Sequence, residues 1–229
     1  MTKLRAHNIA VSLDGFATGE GQSFETPFGH AGHRLMQWFF PTRTFVSMTG
    51  HEDEAVGGGT RGVDDGFAAA SQVGIGAEIM GRRKFGPQTG PWEDESWRGW
   101  WGEEPPFHSP VVVLTHHPRP DLVVGETTFL FRDLPPQEAL ALATEQAGGL
   151  DVRLGGGPTI IRTFLRADLV DHLHVVVVPI LLGRGVRLWD GLEGLEERFD
   201  VETTASPSGV VHHVFTRRSA ATGTPPLPE

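Results

Sequence analysis

Hydrophobic residues first fall into register between Leu4 and Leu13, where Ile9, Val11 and Leu13 alternate with small or polar neighbours. This is the period of a strand, and Asp14 with Gly15 supplies the turn that ends it. The pattern is lost from Phe16 to about Arg61, a stretch rich in Gly, Thr, His and aromatic residues. Within it, Ala31 to Phe40 can form a helix with Leu35, Met36, Phe39 and Phe40 on one side, stopped by Pro41. Regularity returns with a helix over Val63 to Gln72, where Val63, Phe67 and Ala70 have helical spacing, and a compact strand from Ile75 to Met80. Val111 to Leu114 and Thr127 to Phe131 read as strands, and Pro135 to Ala147 as a helix with Ala139, Leu142 and Ala143 inward. Leu173 to Val178 contains four consecutive valines, which suits a strand covered on both faces. Leu181 to Trp189 reads as a loop. Val201 to Ala205 and Val210 to Arg217 read as a terminal hairpin turning at Pro207, Ser208 and Gly209. The tail from Ser219 has no apolar period and is expected to be loosely attached. Strands alternating with helices predict an α/β sheet in one domain spanning residues 1–218, with an insertion at about 16–61.

The stretch Asp151 to Pro179 organises this pattern. A short apolar run (Val152, Leu154) breaks at Gly155, Gly156 and Gly157 and restarts as a helix from Pro158 to about Ala167. Proline is favoured at a first helical position, where its missing N–H has no intrahelical partner to lose. Glycines before a helix allow close backbone approach to a ligand, and the free N–H groups of the first turn favour an anion. The run is therefore either a phosphate cradle or an ordinary strand-to-helix turn. Gly81 is followed by Arg82, Arg83 and Lys84, three cations at a point where a helix should begin. They form either a phosphate clamp or a solvated helix start, and basic residues are normally placed at the other end of a helix.

Composition narrows the chemistry. The 229 residues carry a formal net charge of −10, which disfavours nucleic acid or an anionic membrane as main partner. Cysteine is absent, which removes disulfides and thiolate chemistry and fits a cytoplasmic home. The longest apolar run, Val175 to Leu182, is interrupted by Pro179 and is far short of the ~20 residues that cross a bilayer. Four of the six tryptophans lie between residues 91 and 101, and Trp97, Trp100 and Trp101 would share a helix face. A satellite core or subunit contact is favoured there over a cap for a planar ligand. His30, His33, His51, Glu52 and Glu54 do not make a metal site, because HEDEA lacks the second histidine of the zinc-protease motif.

Five segments in order, VSLDG at 11–15, IMGRRKFG at 79–86, VVVLTHHP at 111–118, RLGGGPTIIRTFL at 153–165 and LVDHLHVVVVPILLGRG at 169–185, resemble the dihydrofolate reductase-like family. That family includes the carboxy-terminal reductase domain of bacterial riboflavin biosynthesis. The resemblance covers about Leu4 to Arg217. It implies a mixed, mainly parallel central sheet flanked by helices, a carboxy-terminal β-hairpin, and NADPH lying across the carboxyl ends of the strands. Carried onto this chain, Gly81, Arg82 and Arg83 meet the cofactor's phosphates. Leu114, Thr115, His116 and His117 follow the adenosine and its 2′-phosphate, while Gly155, Gly156, Gly157, Pro158 and Thr159 take the pyrophosphate. Ala10, Ser12 and Leu13 face the nicotinamide. The cofactor supplies the hydride and the protein the positioning, usually with a proton source beside it. Asp14 is the first candidate for that acid or for a substrate orienter; otherwise it is a turn-forming residue before Gly15.

Two departures leave the substrate open. No carboxylate occurs in Ala31 to Phe40, where dihydrofolate reductases engage the pterin, and Leu154 stands where riboflavin-pathway reductases commonly carry Glu. The 16–61 stretch is then expected to build its own pocket, with His30, His33, Gln37 and Trp38 as lining. The expected activity is an NADPH-dependent reduction, without metal, of a small heterocyclic (pterin- or pyrimidine-like) or other conjugated substrate by a homodimer. The alternative is a catalytically silent NADPH-binding protein with a sensor or structural role.

Overall fold

The computed structural model of the protein describes residues 2–50 and 58–219. Its frame is a nine-stranded sheet. In chain order the strands are β1 (Leu4–Ser12), β2 (Phe16–Thr18), β3 (Ile75–Gly81), β4 (Pro110–Leu114), β5 (Leu122–Val124), β6 (Thr127–Arg132), β7 (Asp151–Gly156), β8 (His172–Val178), β9 (Val186–Arg187), β10 (Phe199–Ala205) and β11 (Val211–Arg217). The spatial order is β10-β11-β8-β1-β7-β3-β4-β6-β5, while β2 and β9 pair separately. The six strands from β8 to β6 run parallel. The edge strand β5 and the hairpin β10–β11 are antiparallel. Helices α1 (Arg43–Thr49), α2 (Val63–Ala70), α3 (Arg82–Phe85), α4 (Pro136–Gln146) and α5 (Pro158–Arg166) flank the sheet. The fold is thus mixed α/β with a mainly parallel sheet and a carboxy-terminal hairpin, as the pattern of strands and helices and the family resemblance together predict.

Local sequence explains the central crossover. β7 presents Val152 and Leu154 to the core, Gly157 caps α5, and Pro158 opens it. Ile161, Phe164 and Leu165 on one face of α5 are fully or nearly fully buried against that core. Burying each such side chain contributes about 1.5–3 kcal/mol, so this helix is held mainly by its apolar face. Ala139 and Ala143 do the same for α4.

Other expectations fail for identifiable reasons. Ala31 to Phe40 is not one helix: 3-10 turns over Gly29–Met36 are broken at Gly32 (φ 52°, ψ −147°), which only glycine adopts readily. The helix of this region is α1, which starts beyond Pro41, where the Thr42 side chain accepts from Phe45 N–H and Gly50 ends the helix at φ 68°. The Trp-rich segment is irregular. Its Trp92, Trp97 and Trp101 instead pack against Met80, Phe85 and Phe129 in a satellite core. The predicted loop Leu181 to Trp189 contains β9. Residues 51–54 and the tail after residue 219 lie outside the described residues. Among the described residues no helix is long and apolar enough to cross a membrane.

The sheet has a local irregularity near its centre. The pairing of β1 with β8 shifts register between Ala6 and Ile9, and Asn8 there has φ 60°. Beneath this bulge lies a group of buried histidines. The Asn8 backbone N–H donates to His174 Nδ1 (3.2 Å), His174 Nε2 lies 3.0 Å from His212 Nδ1, and His212 Nε2 lies 2.9 Å from Asp64 Oδ1. Burial, with His172 and Arg5 nearby, lowers His7 to about 2. Burial, with His212 and His172 nearby, lowers His174 to about 3. Burial also lowers His172 and His212, the latter against the pull of Asp64.

Acid sensitivity follows from these directions. In the unfolded chain the imidazoles take up protons as pH falls through 6.5, the ordinary value, whereas in the folded chain they resist. The stability is therefore complete above that value and is lost progressively below it. Urea midpoints measured from about pH 8 down to about pH 4 should fall steeply from about 6.5 downward. A midpoint constant over that interval would contradict the assignment.

Candidate functional site

Two strand-to-helix corners meet at the carboxyl ends of neighbouring strands. β3 leads through Gly81 into the short helix α3, and β7 leads through Gly155–Gly157 into α5. Their ends are in register, Met80 opposite Gly156. The corners are packed so closely that a Cβ on Gly81 would lie 2.7 Å from Ile160 Cγ1 of α5, and one on Gly155 would overlap Glu78 Oε1 and Lys84 Nζ. Gly156 has φ 103°, a conformation that favours glycine, and the peptide joining it to Gly157 is cis. Gly81 and Gly155 are thus required by close approach and Gly156 by its conformation.

Charge is concentrated behind these corners. Glu78 projects from β3 with 1% of its surface exposed. Its Oε1 accepts from Lys84 Nζ at 2.7 Å and its Oε2 from Arg153 Nε at 2.5 Å. Burial opposes the Glu78 charge, but Arg153 and Lys84 outweigh it and hold the carboxyl below its ordinary range. The trio carries a net positive charge, and its Lys84 and Arg153 members line the adjoining cavity.

Arg82 stacks on the Trp92 ring at 3.7 Å and donates from one terminal nitrogen to Gly90 O. Its Nε and other terminal nitrogen are buried without a hydrogen-bond partner, and burial lowers its pKa. Arg83 is exposed on the cavity rim. At the end of β4, Thr115 Oγ1 accepts from His117 N–H (3.1 Å), and His116 Nδ1 lies 2.9 Å from Asp133 Oδ1.

These corners wall one end of a cavity of about 1120 Å³. Gly81, Arg82, Arg83, Leu114, Thr115, His116, His117, Gly155, Gly157, Pro158 and Thr159 all line it. Gly156 lies between two lining residues without lining it. Phe28, Met36, Phe39, Phe40, Phe45 and Met48 line the other end, and among the described residues none of the lining is a carboxylate.

Asp14 stands elsewhere. Its carboxylate accepts from Ser12 Oγ (2.5 Å) and from the N–H groups of Leu182 and Gly183 (nearest distances 3.1 and 2.7 Å), clasping the end of β1 to the segment after β8. The Ser12 hydroxyl, followed by those amides, holds it at about 2, low for a group that is to donate a proton at neutral pH. The turn-forming reading is the one this geometry supports. Ala10 is buried in the apolar cluster beside Val176, and Leu13 is 62% exposed; neither lines the cavity. The bulge at Asn8 explains the displacement, because one extra residue moves the strand's face, and His7 and Asn8 line the cavity instead.

His33, Gln37 and Trp38 also lie off the cavity. Trp38 is buried against His212 (ring centroids 5.3 Å apart), Gln37 is exposed, and His33 packs edge-on against Phe28 and Phe40. His30 bonds Glu20 N–H and approaches Leu182 O, a structural role. Phe28, Met36, Phe39 and Phe40 of the same stretch line the cavity in their place. Lys84 and Arg153 were signalled by Glu78, since a lone acid within the apolar run GAEIMG needs buried cations. Asn8 was signalled more faintly, by a residue tolerant of positive φ inside a strand.

A family model described as the RibD C-terminal domain matches residues 6–211. Among curated proteins no match was found. Several solved structures are similar in fold. A protein from Shewanella sp. PV-4 assigned to riboflavin biosynthesis shares 21% identity at a TM-score of 0.56, over 96% of this chain and 100% of its own. A pyrimidine reductase-like protein from Corynebacterium diphtheriae shares 14% at 0.51, over 96% and 93%. A diaminohydroxyphosphoribosylaminopyrimidine deaminase/5-amino-6-(5-phosphoribosylamino)uracil reductase from Thermotoga maritima shares 12% at 0.52, over 95% of this chain and 57% of that one.

Proposed function

Because this chain belongs to the RibD C-terminal domain family, we propose that it is a reductase that holds NADPH against the two glycine corners and reduces a heterocyclic or conjugated substrate at the aromatic end of the cavity. The carrying observation is the meeting of the two glycine corners, Met80 opposite Gly156, on a cavity whose wall carries Arg82, Arg83, Lys84 and Arg153, cations that suit a phosphate. Lys84 and Arg153 add positive potential, and Gly155, Gly157 and the first turn of α5 leave room and free N–H groups for the pyrophosphate. Arg83, His116 and His117 at the rim suit the 2′-phosphate, with His116 steadied by Asp133. When bound, the nicotinamide would supply the hydride.

The chain's own residues bind, orient and exclude water. Trp100, Trp101 and Phe107 close one wall, and the phenylalanines of the far end hold the acceptor ring. Burial keeps His7 neutral and among the described residues no carboxylate lines the wall, so in this reading the proton that accompanies hydride transfer comes from solvent. In the same reading residues 1–218 act as one cytoplasmic reductase unit, supported by a single main sheet running from Leu4 to Arg217, and pair as a homodimer.

Cofactor choice tests the proposal. Arg83→Ala should weaken NADPH binding about tenfold, the worth of one charge-assisted contact, while NADH changes little. The measurement is energy transfer from the cavity tryptophans to the reduced nicotinamide, followed by loss of nicotinamide absorbance over a panel of pterins, aminopyrimidines, quinones and nitro compounds. Equal affinity for both nucleotides with no loss in the variant would overturn the NADPH assignment. NADPH binding without turnover on any of the panel would favour the silent binding protein.

A further inference from the structure

The cavity lies on one face of the main sheet. Arg5 of β1, Arg153 of β7 and Glu78 of β3 stand side by side in register, while their neighbours Leu4, Val152 and Ala77 point the other way into the principal core. On the face of Arg153 two apolar clusters stand apart. One covers β8 and β1 at Val176 and Ala10 and carries Phe39, Phe40 and Phe45, whose rings touch at centroid distances of 4.7 and 5.2 Å. The other covers β3 and β4 at Met80 and Val113 and carries Trp101 and Phe107. Strand β7 runs between β1 and β3, and on this face it offers Arg153 and Gly155 in place of apolar side chains. Members of both clusters, with Arg153, Gly155 and Lys84, line the cavity.

This floor is not balanced in charge. Lys84 gives one of its three N–H groups to Glu78 Oε1, and Arg153 gives Nε to Glu78 Oε2 with one terminal nitrogen against the same oxygen. Two cations share one carboxylate, so the trio carries one positive charge. The carboxylate is sealed, with 1% of its side chain exposed, whereas Lys84 is 29% and Arg153 11% exposed. The cavity therefore meets the cations. Arg153 Nη1 has no hydrogen-bond partner among the described residues and, unlike the two idle nitrogens of Arg82, is not sealed from solvent. Both cations lie near the Phe107 ring, 5.6 and 5.8 Å from its centroid, at the foot of one aromatic wall. A half-buried cation that lacks its full counter-charge is costly, and a ligand anion seated against it offsets that cost.

The size of the imbalance selects the anion. A carboxylate brings one negative charge, matches the fork of an arginine, and leaves the site neutral. A phosphate dianion would leave a net negative charge in a cleft walled by aromatic rings. We propose that the substrate is a planar conjugated monoanion, its carboxylate seated on Lys84 and Arg153 and its ring held between the two aromatic clusters. This deepens the reductase reading and rests on it for the neighbouring nucleotide. Lys84 and Arg153 stand at the border of the two ends, so their potential also reaches the nucleotide, while their free donors are taken by the substrate. They are specificity residues for the head group, and Phe40 is one for the ring.

2-Naphthoate, 2-naphthamide and 2-naphthyl phosphate present one ring with three heads, and serve as unreactive probes titrated calorimetrically into the full chain with and without NADPH. The carboxylate should bind at least about tenfold more tightly than the amide and more tightly than the phosphate. Lys84→Met keeps the bulk and leaves Glu78 paired with Arg153. It should bring the carboxylate and the amide to within about twofold of each other, and should cost NADPH less than it costs the carboxylate. Phe40→Ala should weaken carboxylate and amide by the same factor. The ranking of the three heads by the wild type stands as a test even where a variant fails to fold. Equal binding of carboxylate and amide, preference for the phosphate, or a Lys84→Met variant that loses NADPH while still preferring the carboxylate would each overturn the proposal. Failure of NADPH to bind removes the reductase reading instead, and the titrations without nucleotide still decide the anion.

Discussion

Gly155→Ala is expected to lower stability by about 3 kcal/mol or more and to weaken nucleotide binding at least about tenfold. The added methyl has no free direction. It would overlap the Glu78 carboxylate and the Lys84 ammonium, which are bonded to each other and, through Glu78, to Arg153. Relief requires either that the ion trio open or that the end of β7 move away from β3, and each movement disturbs the place where the two corners meet. For a protein of this length the loss corresponds to a fall in Tm of roughly 6–12 °C. Thermal unfolding and NADPH titration of the same preparation check both parts. Unchanged melting would show that the corner has slack it should not have.

Glu78→Gln should be comparably destabilising, by about 3–5 kcal/mol, but for another reason. The shape is kept while the charge that balances two cations is removed, leaving Lys84 and Arg153 close together behind the sheet. Burial already lowers Lys84, with Glu78 pulling it back up, so the variant's lysine should lose its proton more readily. The two substitutions separate in their binding behaviour. Glu78→Gln removes a negative charge near the proposed phosphate position, so the folded fraction should bind NADPH as tightly as the wild type or more so, whereas Gly155→Ala should bind it poorly. Equal loss of binding in both would mean that the trio acts only as scaffolding.

What could be read from the chain beforehand depended on whether the signal was local. The β7–α5 corner was legible because glycine conformation and the proline first-turn preference act within a few residues, and the same holds for the terminal hairpin and the buried strand β8. The cation island at residues 82–84 was visible as composition, but its second half, Arg153, joins it only across two strands. Asp14 followed by glycine was ambiguous in sequence because a turn and an acid look alike there; the amides of Leu182 and Gly183, about 170 residues away, decide between them. Ala10 and Leu13 were placed by the family resemblance, and the bulge at Asn8, which a local sequence pattern does not register, changes which residues of the strand reach the cavity. His33, Gln37 and Trp38 lie in the 16–61 stretch, where Gly32 at positive φ breaks the helix that apolar spacing predicts.

The two ends of the cavity are built from separate stretches of chain. The groups proposed to face the nucleotide come from residues 81–84, 114–117 and 153–159, at the carboxyl ends of the parallel strands β3, β4 and β7, whereas the aromatic chamber is contributed mainly by residues 28–48, outside the main sheet. Drift in the second set leaves the first intact, so gene duplicates can change their diet while keeping a common source of reducing power. Overall similarity between two such proteins would then track the shared half, and a comparison restricted to the 28–48 region would sort them by what they consume.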